Sequence, residues 1–479
     1  MWNIAGSGHR LDGARESEAI SIVFQSSKVA CSCNGKLLIN LTGYEALKKA
    51  QPCKRMIMKR TSFFSKRNIL ITCLCGITFL SIHWSVDPTI LRNGIWRATI
   101  DRPDGKQIVF NFETKDSAGK KIIYVINASD RLLVDSVETR GDSVFIEMPF
   151  FESAFKAKVT AEGNLQGLWV KKYGNITQTL PFNAQYKVEQ RFNISSPPLA
   201  NISGRWSAYF KRANNLTATI TAEFKQEGSH ITGTFLGATG DYRFLEGVVS
   251  GDSLKLSGFD GDNAFLFTAK VDNKNKISGG KFYSGAEKME DWHAERNANA
   301  AIPDGYGKTK VKPGAGKLNF SFPDMDDGHP VSLNSNAYKD KVVVITLMGS
   351  WCANCMDETK FLSEYYDENH QKGFEVIGLA YERTADFASS QKALQGFKQR
   401  FKVKYPILIT GVAVSDSLRT EKTLPQLEKI TAFPTTIFLD KKGNIRKIHN
   451  GFDGPATGVH HTEFRKEFNE VVESLLAEK

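Results

Sequence analysis

The sequence predicts a multidomain chain in which two repeated antiparallel β-barrel or sandwich domains precede a C-terminal α/β domain. Three observations carry this. The stretch before residue 300 repeats itself at an offset of 110 residues, and apolar and polar residues alternate within both copies. From Leu318 onward, short apolar runs alternate with helix-compatible segments. A chain of 479 residues accommodates about three domains of roughly 100–200 residues each.

The repeat shows in four matched pieces. Gly94-Ile95-Trp96-Arg97-Ala98 returns as Gly204-Arg205-Trp206-Ser207-Ala208, and Gly141-Asp142-Ser143-Val144 as Gly251-Asp252-Ser253-Leu254. Ala154-Phe155 returns as Ala264-Phe265, and Phe182-Asn183-Ala184 as Trp292-His293-Ala294. Two copies are too few for a solenoid, so they read as two small domains, residues 92–187 and 202–296. Val144-Phe145-Ile146-Glu147-Met148 and Ile231-Thr232-Gly233-Thr234-Phe235 alternate as half-buried strands do, and turns such as Gly240-Asp241 break the runs. Trp96, Trp169, Trp206 and Trp292 read as core aromatics. Residues 297–317, rich in Ala, Gly, Lys and Pro, read as a linker that lets the last domain, 318–479, move relative to the β pair.

The formal charge of +11 suggests nucleic acid until it is located. Residues 1–67 hold 12 Lys/Arg against 4 Asp/Glu, so most of the excess lies there and no basic binding patch is expected downstream. Lys54, Arg55, Lys59, Arg60, Lys66 and Arg67 precede an apolar run at residues 69–82. A basic flank before a short apolar run reads as a secretory signal or as a membrane anchor, within a segment 56–86. Signals normally start near the initiator Met, so residues 1–55 read as a non-native or disordered extension, with Met56 or Met58 the expected start. Of seven Cys, five lie in or before the leader, and only Cys352 and Cys355 follow. An exported chain with one Cys-x-x-Cys keeps it for redox work or for metal.

In the last domain the patterns predict strands at 342–348, 374–380, 435–439 and 445–449, and helices at 355–370, 384–402 and 461–477. Phe464, Phe468, Val471, Val472 and Leu475 share one helical face. The Cys pair sits where the strand 342–348 passes into the first helix. A helix start presents unpaired N–H groups and the positive end of the macrodipole, which favour a thiolate. Cys352 is therefore the expected nucleophile and Cys355, one turn on, the resolving thiol. Trp351 is expected to shield the pair. Glu358 lies one turn past Cys355 and reads equally as a proton relay with a raised pKa or as an ordinary first-turn acid; Asp357 reads as the exposed first-turn acid. Phe433-Pro434 stands at the entry to an apolar strand, where a cis Pro would present the Phe433 backbone to an extended substrate.

Residues Leu318 to Lys479 resemble the thioredoxin-fold disulfide reductases of the TlpA/ResA type. The resemblance rests on Trp-Cys-x-x-Cys-x-x-Glu at 351–358, Phe-Pro-Thr-Thr at 433–436 and the Asp440-Lys441-Lys442-Gly443 turn. Two β copies before such a domain also resemble Bacteroidetes-type members. The resemblance implies a central sheet of four or more strands, Cys352 as nucleophile, Cys355 as resolver, Glu358 as active-site acid and Pro434 in cis. It further implies a periplasmic location, often membrane-attached, here through residues 69–82. It implies disulfide-bearing protein substrates, including apocytochromes before haem attachment in cytochrome c maturation, and a DsbD/CcdA-like membrane protein as electron donor. No cofactor, metal or nucleic acid is expected. Two departures are Asn354, where many relatives carry Pro, and a long stretch from Gly411 to Lys429, an inserted helix or a substrate-facing loop.

Rival readings are weaker. A zinc site needs two further ligands, and His460-His461, expected with Glu463 on a solvent-facing part of the last helix, is poorly placed to supply them. A peroxidase of the same fold needs a loop that Gly349-Ser350-Trp351 does not match. A binding protein built on the tandem β domains is the reading from a different class.

Overall fold

The computed structural model describes residues 91–149, 151–173, 176–212, 216–237, 240–301, 305 and 307–479. The N-terminal extension, the leader and the apolar run 69–82 lie outside them. Among the described residues no helix is long and apolar enough to cross a membrane.

The first β domain is a nine-stranded antiparallel sheet: β1 (Gly94–Asp101), β2 (Gln107–Ser117), β3 (Lys120–Asn127), β4 (Asp130–Val134), β5 (Ser136–Arg140), β6 (Ser143–Glu147), β7 (Ser153–Val159), β8 (Leu165–Tyr173) and β9 (Ile176–Tyr186). Pairing of β1 with both β2 and β9 curls it round, leaving β4 and β5 as its two ends. The second comprises β10 (Gly204–Lys211), β11 (Thr217–Glu227), β12 (His230–Gly237), β13 (Gly240–Asp241), β14 (Leu245–Ser250), β15 (Ser253–Phe259), β16 (Ala264–Asn273), β17 (Lys276–Ser284) and β18 (Lys288–Arg296). Here β12 pairs with both β11 and β14, so eight strands close into a barrel and β13 is a two-residue flap on β12. Closure leaves no strand edge to solvent.

Each copy is built on the same tryptophan. Trp96 and Trp206 are fully buried, and their indole N–H groups donate to Arg92 O at 3.3 Å and Ile202 O at 2.9 Å, carbonyls at matching places in the repeat. Trp169 and Trp292 are buried too. The copies are joined core to core. Phe259, at the end of β15, enters the first copy, stacking on Phe110 with centroids 4.5 Å apart and meeting Trp169 edge-on. Asn127 pairs with the Phe259 backbone like a short strand, donating to its O at 2.7 Å and accepting from its N–H at 3.2 Å. The buried Arg191 guanidinium donates to Ile126 O and Ser257 O across the seam and pairs with Glu246 at 3.2 Å.

The C-terminal domain opens with a hairpin, β19 (Ser321–Pro323) and β20 (Pro330–Ser332). Its sheet runs β23 (Ile407–Ile409), β22 (Phe374–Ala380), β21 (Val342–Met348), β24 (Thr435–Leu439), β25 (Ile445–Asn450). The first three are parallel, β24 runs antiparallel to them, and β25, antiparallel to β24, returns to their direction. All seven residues of β21 are buried, as a central strand covered on both faces requires. The helices are α1 (Ala353–Asn369), α2 (Phe387–Phe401), the short α3 (Arg419–Thr423) and α4 (Val459–Ala477), whose Phe464, Phe468, Val472 and Leu475 face the core. This is the thioredoxin-like α/β fold expected, behind two antiparallel β domains.

One stretch differs from its sequence reading, and a second is decided between two alternatives. The connector is pinned rather than free: Lys312 N–H donates to Gln426 O, Glu428 N–H to Lys310 O, and Thr309 N–H to Asn450 Oδ1 at 3.0 Å. Of the two readings of Gly411 to Lys429, the inserted helix is the one found, in a short form. The stretch holds α3 and sends Leu424 and Leu427 into the core beside Ile430.

Candidate active site

The geometry starts with the turn between β21 and α1. Ser350 donates its N–H and its hydroxyl to the two oxygens of Glu382, at 2.8 and 2.7 Å. Trp351 Nε1 donates to Tyr381 O at 2.8 Å. These bonds fix the residues leading into the helix. Cys352 then takes the N-cap position with extended backbone, its sulfur accepting from Cys355 N–H at 3.2 Å. An N–H aimed at that sulfur favours its anionic form. Cys352 and Cys355 form a disulfide with Cα atoms 5.2 Å apart. Cys352 is 7% exposed and Cys355 fully covered, so an incoming molecule reaches only the first sulfur.

Opposite the pair lies the Phe433–Pro434 turn, with a cis peptide bond. Phe433 O sits 3.6 Å from Cys352 Sγ, and the Phe433 ring meets Trp351 edge-on at 5.6 Å. Trp351, Phe433 and Pro434 thus border the one accessible sulfur.

Glu358 lies beneath, 2% exposed. The Thr346 hydroxyl on β21 and the Thr436 hydroxyl on β24 each donate to it at 2.5 Å. Burial pushes its carboxyl up to about 7, although both hydroxyl bonds act to hold it down. Such a group exchanges protons near neutrality, one helical turn from the inner cysteine.

The second barrel supplies the far wall. A cleft of about 450 Å³ lies over the pair, bordered by Cys352, Ala353, Asn354, Trp351 and Phe433 on one side and by barrel residues on the other. Arg243, in left-handed backbone conformation (φ 56°), donates to Ala353 O at 3.3 Å and pairs with Asp357 at 3.3 Å. Asp241 accepts from Gly454 N–H at 3.2 Å, and its own carbonyl accepts from Asn354 Nδ2 at 3.4 Å. Burial, then the charge of Asp357, pushes the Asp241 carboxyl up to about 7. Burial alone would lower Arg243, but Asp357, Asp260, Asp130 and Asp241 outweigh it and keep the guanidinium protonated.

Asp357 is therefore not an exposed acid; it is covered by Arg243 of the barrel. His460 is not solvent-facing either: it is buried, with Nε2 3.1 Å from Glu223 on β11. Sequence reasoning missed Arg243, Asp241 and Glu382. Only the Gly240-Asp241 turn carried a local signal, and it read as an ordinary hairpin. Among the described residues no group of three or more His, Cys, Asp or Glu could hold a metal ion.

Known proteins are similar to the chain over its last third. Residues 312–462 match the Redoxin family model. The chain is 26% identical over 144 residues to the thiol-disulfide oxidoreductase ResA of Geobacillus kaustophilus strain HTA426, covering 30% of this chain and 72% of that protein. It is 22% identical over 145 residues to ResA of Bacillus subtilis strain 168, covering 30% and 71%. Similar solved structures include a putative thiol:disulfide interchange protein DsbE from Chlorobium tepidum, at 17% identity and TM-score 0.26, covering 34% of this chain and 97% of that one. A thiol-disulfide oxidoreductase from Bacteroides fragilis NCTC 9343 matches at 20% identity and TM-score 0.23, covering 32% and 99%.

Proposed function

We propose that this thiol-disulfide oxidoreductase, whose C-terminal third is a TlpA/ResA-like thioredoxin-fold domain, works as an exported reductase of protein disulfides. The observation that carries the reading is the asymmetry of the pair: one sulfur reachable and capped by an N–H, the other covered above a buried carboxyl.

In the reduced state the Cys352 thiolate attacks a substrate disulfide, forming a mixed disulfide and expelling one substrate thiolate. Cys355 loses its proton, attacks Cys352 Sγ and expels the second. Two electrons pass to the substrate, and the Cys352–Cys355 disulfide remains. Glu358, able to accept a proton near neutral pH, takes the one that Cys355 gives up. Trp351 borders the sulfur, and the Phe433-Pro434 turn offers its backbone to an extended substrate strand. Regeneration requires a dithiol donor, for which a DsbD/CcdA-like membrane protein is the candidate. Location on the periplasmic side of the envelope, with attachment through residues 69–82, follows from the basic and apolar leader. Reduction of apocytochrome thiols in cytochrome c maturation is one role that fits.

Direction is the decisive measurement, because potentials in this fold run from about −270 to −120 mV. Equilibration of the pair against a thiol buffer should give a value toward the reducing end. A value at the oxidising end would overturn the reductase reading, as would disulfide reduction that persists in Cys352→Ser. In Glu358→Gln, the release step should lose its ionisation near pH 7.

A further inference from the structure

The far wall of the cleft has no part in the chemistry just described, yet it is built into the site. Of the eighteen residues lining the cleft, thirteen belong to the second barrel. Its innermost piece is tied to the first turn of α1 and to the loop before α4: Arg243 to Ala353 and Asp357, Asp241 to Asn354 and Gly454. Gly240 presses its backbone so close to Asn354 that a Cβ there would stand 1.9 Å from Nδ2. The space left, about 450 Å³, lies within the range of small-ligand pockets. Attack on a disulfide also needs the three sulfurs close to a line, which a convex protein surface held off by the wall does not permit.

We infer that the second β barrel is a bulk-selecting wall of the active site, admitting disulfides on slender carriers and turning away those on folded surfaces. The selection rests on the reading of Cys352 as the nucleophile. Slender here means a small molecule or an extended chain, which share the same chemistry at sulfur, and a donor protein that reduces the pair must present its thiol on such a projecting segment.

The test uses the reduced full-length protein and three nitrothiobenzoate mixed disulfides with one leaving group. The carriers are a small alkyl thiol, a short unstructured peptide and a folded protein with a single surface cysteine. In each, the Cys352 thiolate bonds to the carrier sulfur and expels nitrothiobenzoate, which absorbs visible light. Cys355 then attacks Cys352 Sγ and frees the carrier thiolate, so two electrons reach the mixed disulfide. The small carrier should react about 100-fold faster than the folded one, the penalty expected for a misplacement of about 1 Å. A fast peptide assigns the slot to extended chains, and a slow one assigns it to small molecules; either supports the wall. Arg243→Ala, which cuts two tethers, should shrink the small-to-folded ratio by about tenfold or more. Gly240→Ala, strained at φ 122° and forced against Asn354, should act in the same sense should Arg243→Ala fail to fold. Equal rates for all carriers, or a ratio that neither folded variant changes, would overturn the wall. Release that survives in Cys352→Ser would overturn the catalytic reading itself, and the wall with it.

Discussion

The two β copies share strand order, tryptophan and turn spacing, yet they differ where one residue changes the path of the chain. In the first copy, the tight turn at Ala128 sends β4 back along β3 for five paired positions, ending at Ile123 opposite Val134. In the second, pairing stops after Leu236 and Asp241, and Arg243 turns the chain so that β14 takes the edge of β12. At an offset of 110, Arg243 stands where the first copy has Leu133, and Asp241 where it has Arg131. Leu133 and Arg131 continue a strand; Arg243 and Asp241 leave one and reach the cysteines. The same arithmetic sets Phe259 against Pro149, so the ring with which the second copy plugs its neighbour has no counterpart at that position. One duplicated fold thus yields a copy that is filled and a copy that fills.

The largest test of this contrast is at the plug. Phe259→Ala should cost about 3–5 kcal/mol in denaturant unfolding, as truncating a fully buried aromatic does, whereas Pro149→Ala should stay within about 0.5 kcal/mol. Equal losses would mean that the copies stabilise each other symmetrically. Next comes charge. The Asp241 carboxyl holds its proton more tightly folded than unfolded, being pushed from 3.8 up to about 7. Its contribution is therefore full below about pH 4 and is lost as pH rises through about 7. Asp241→Asn should flatten that loss by about 4 kcal/mol between pH 4 and pH 8, while Arg131→Gln leaves the profile unchanged. An identical profile for native and Asp241→Asn would remove this half of the comparison. The smallest effect belongs to an ion pair between the first copy and the C-terminal domain. Asp135 and Arg400 pair at 3.3 Å, with the Asp135 carboxylate mostly in water. Asp135→Asn should change stability by no more than about 0.5 kcal/mol and weaken with salt; a loss several times larger would give the first copy the anchoring role assigned to the second.

Much of this molecule was legible in its residues because the signals were local. The apolar run of β21, the Cys-x-x-Cys at its end and Glu358 one turn past Cys355 need only a few neighbours to be understood. The repeat was legible because Gly-x-Trp and Gly-Asp-Ser recur at one offset. What escaped was decided by partners far along the chain. Asp357 has the spacing of a solvated first-turn acid, and only Arg243, over a hundred residues earlier, covers it. His460 was misread for the same reason, with Glu223 as its cover. β23 and the β19–β20 hairpin, three residues per strand, are too short to establish a period. The connector looked free because Gly and Pro signal flexibility, whereas its backbone is held by bonds that composition does not encode.

The Phe259 plug also bears on how the chain is made. The last strand of the first copy ends at Tyr186, and the ring that completes its interior is 73 residues further on. At roughly 5–20 residues per second, a ribosome leaves that interior unfinished for about 4–15 s. Throughout that interval the nascent chain shows apolar surface to chaperones and proteases, and its first half matures only when its second half arrives.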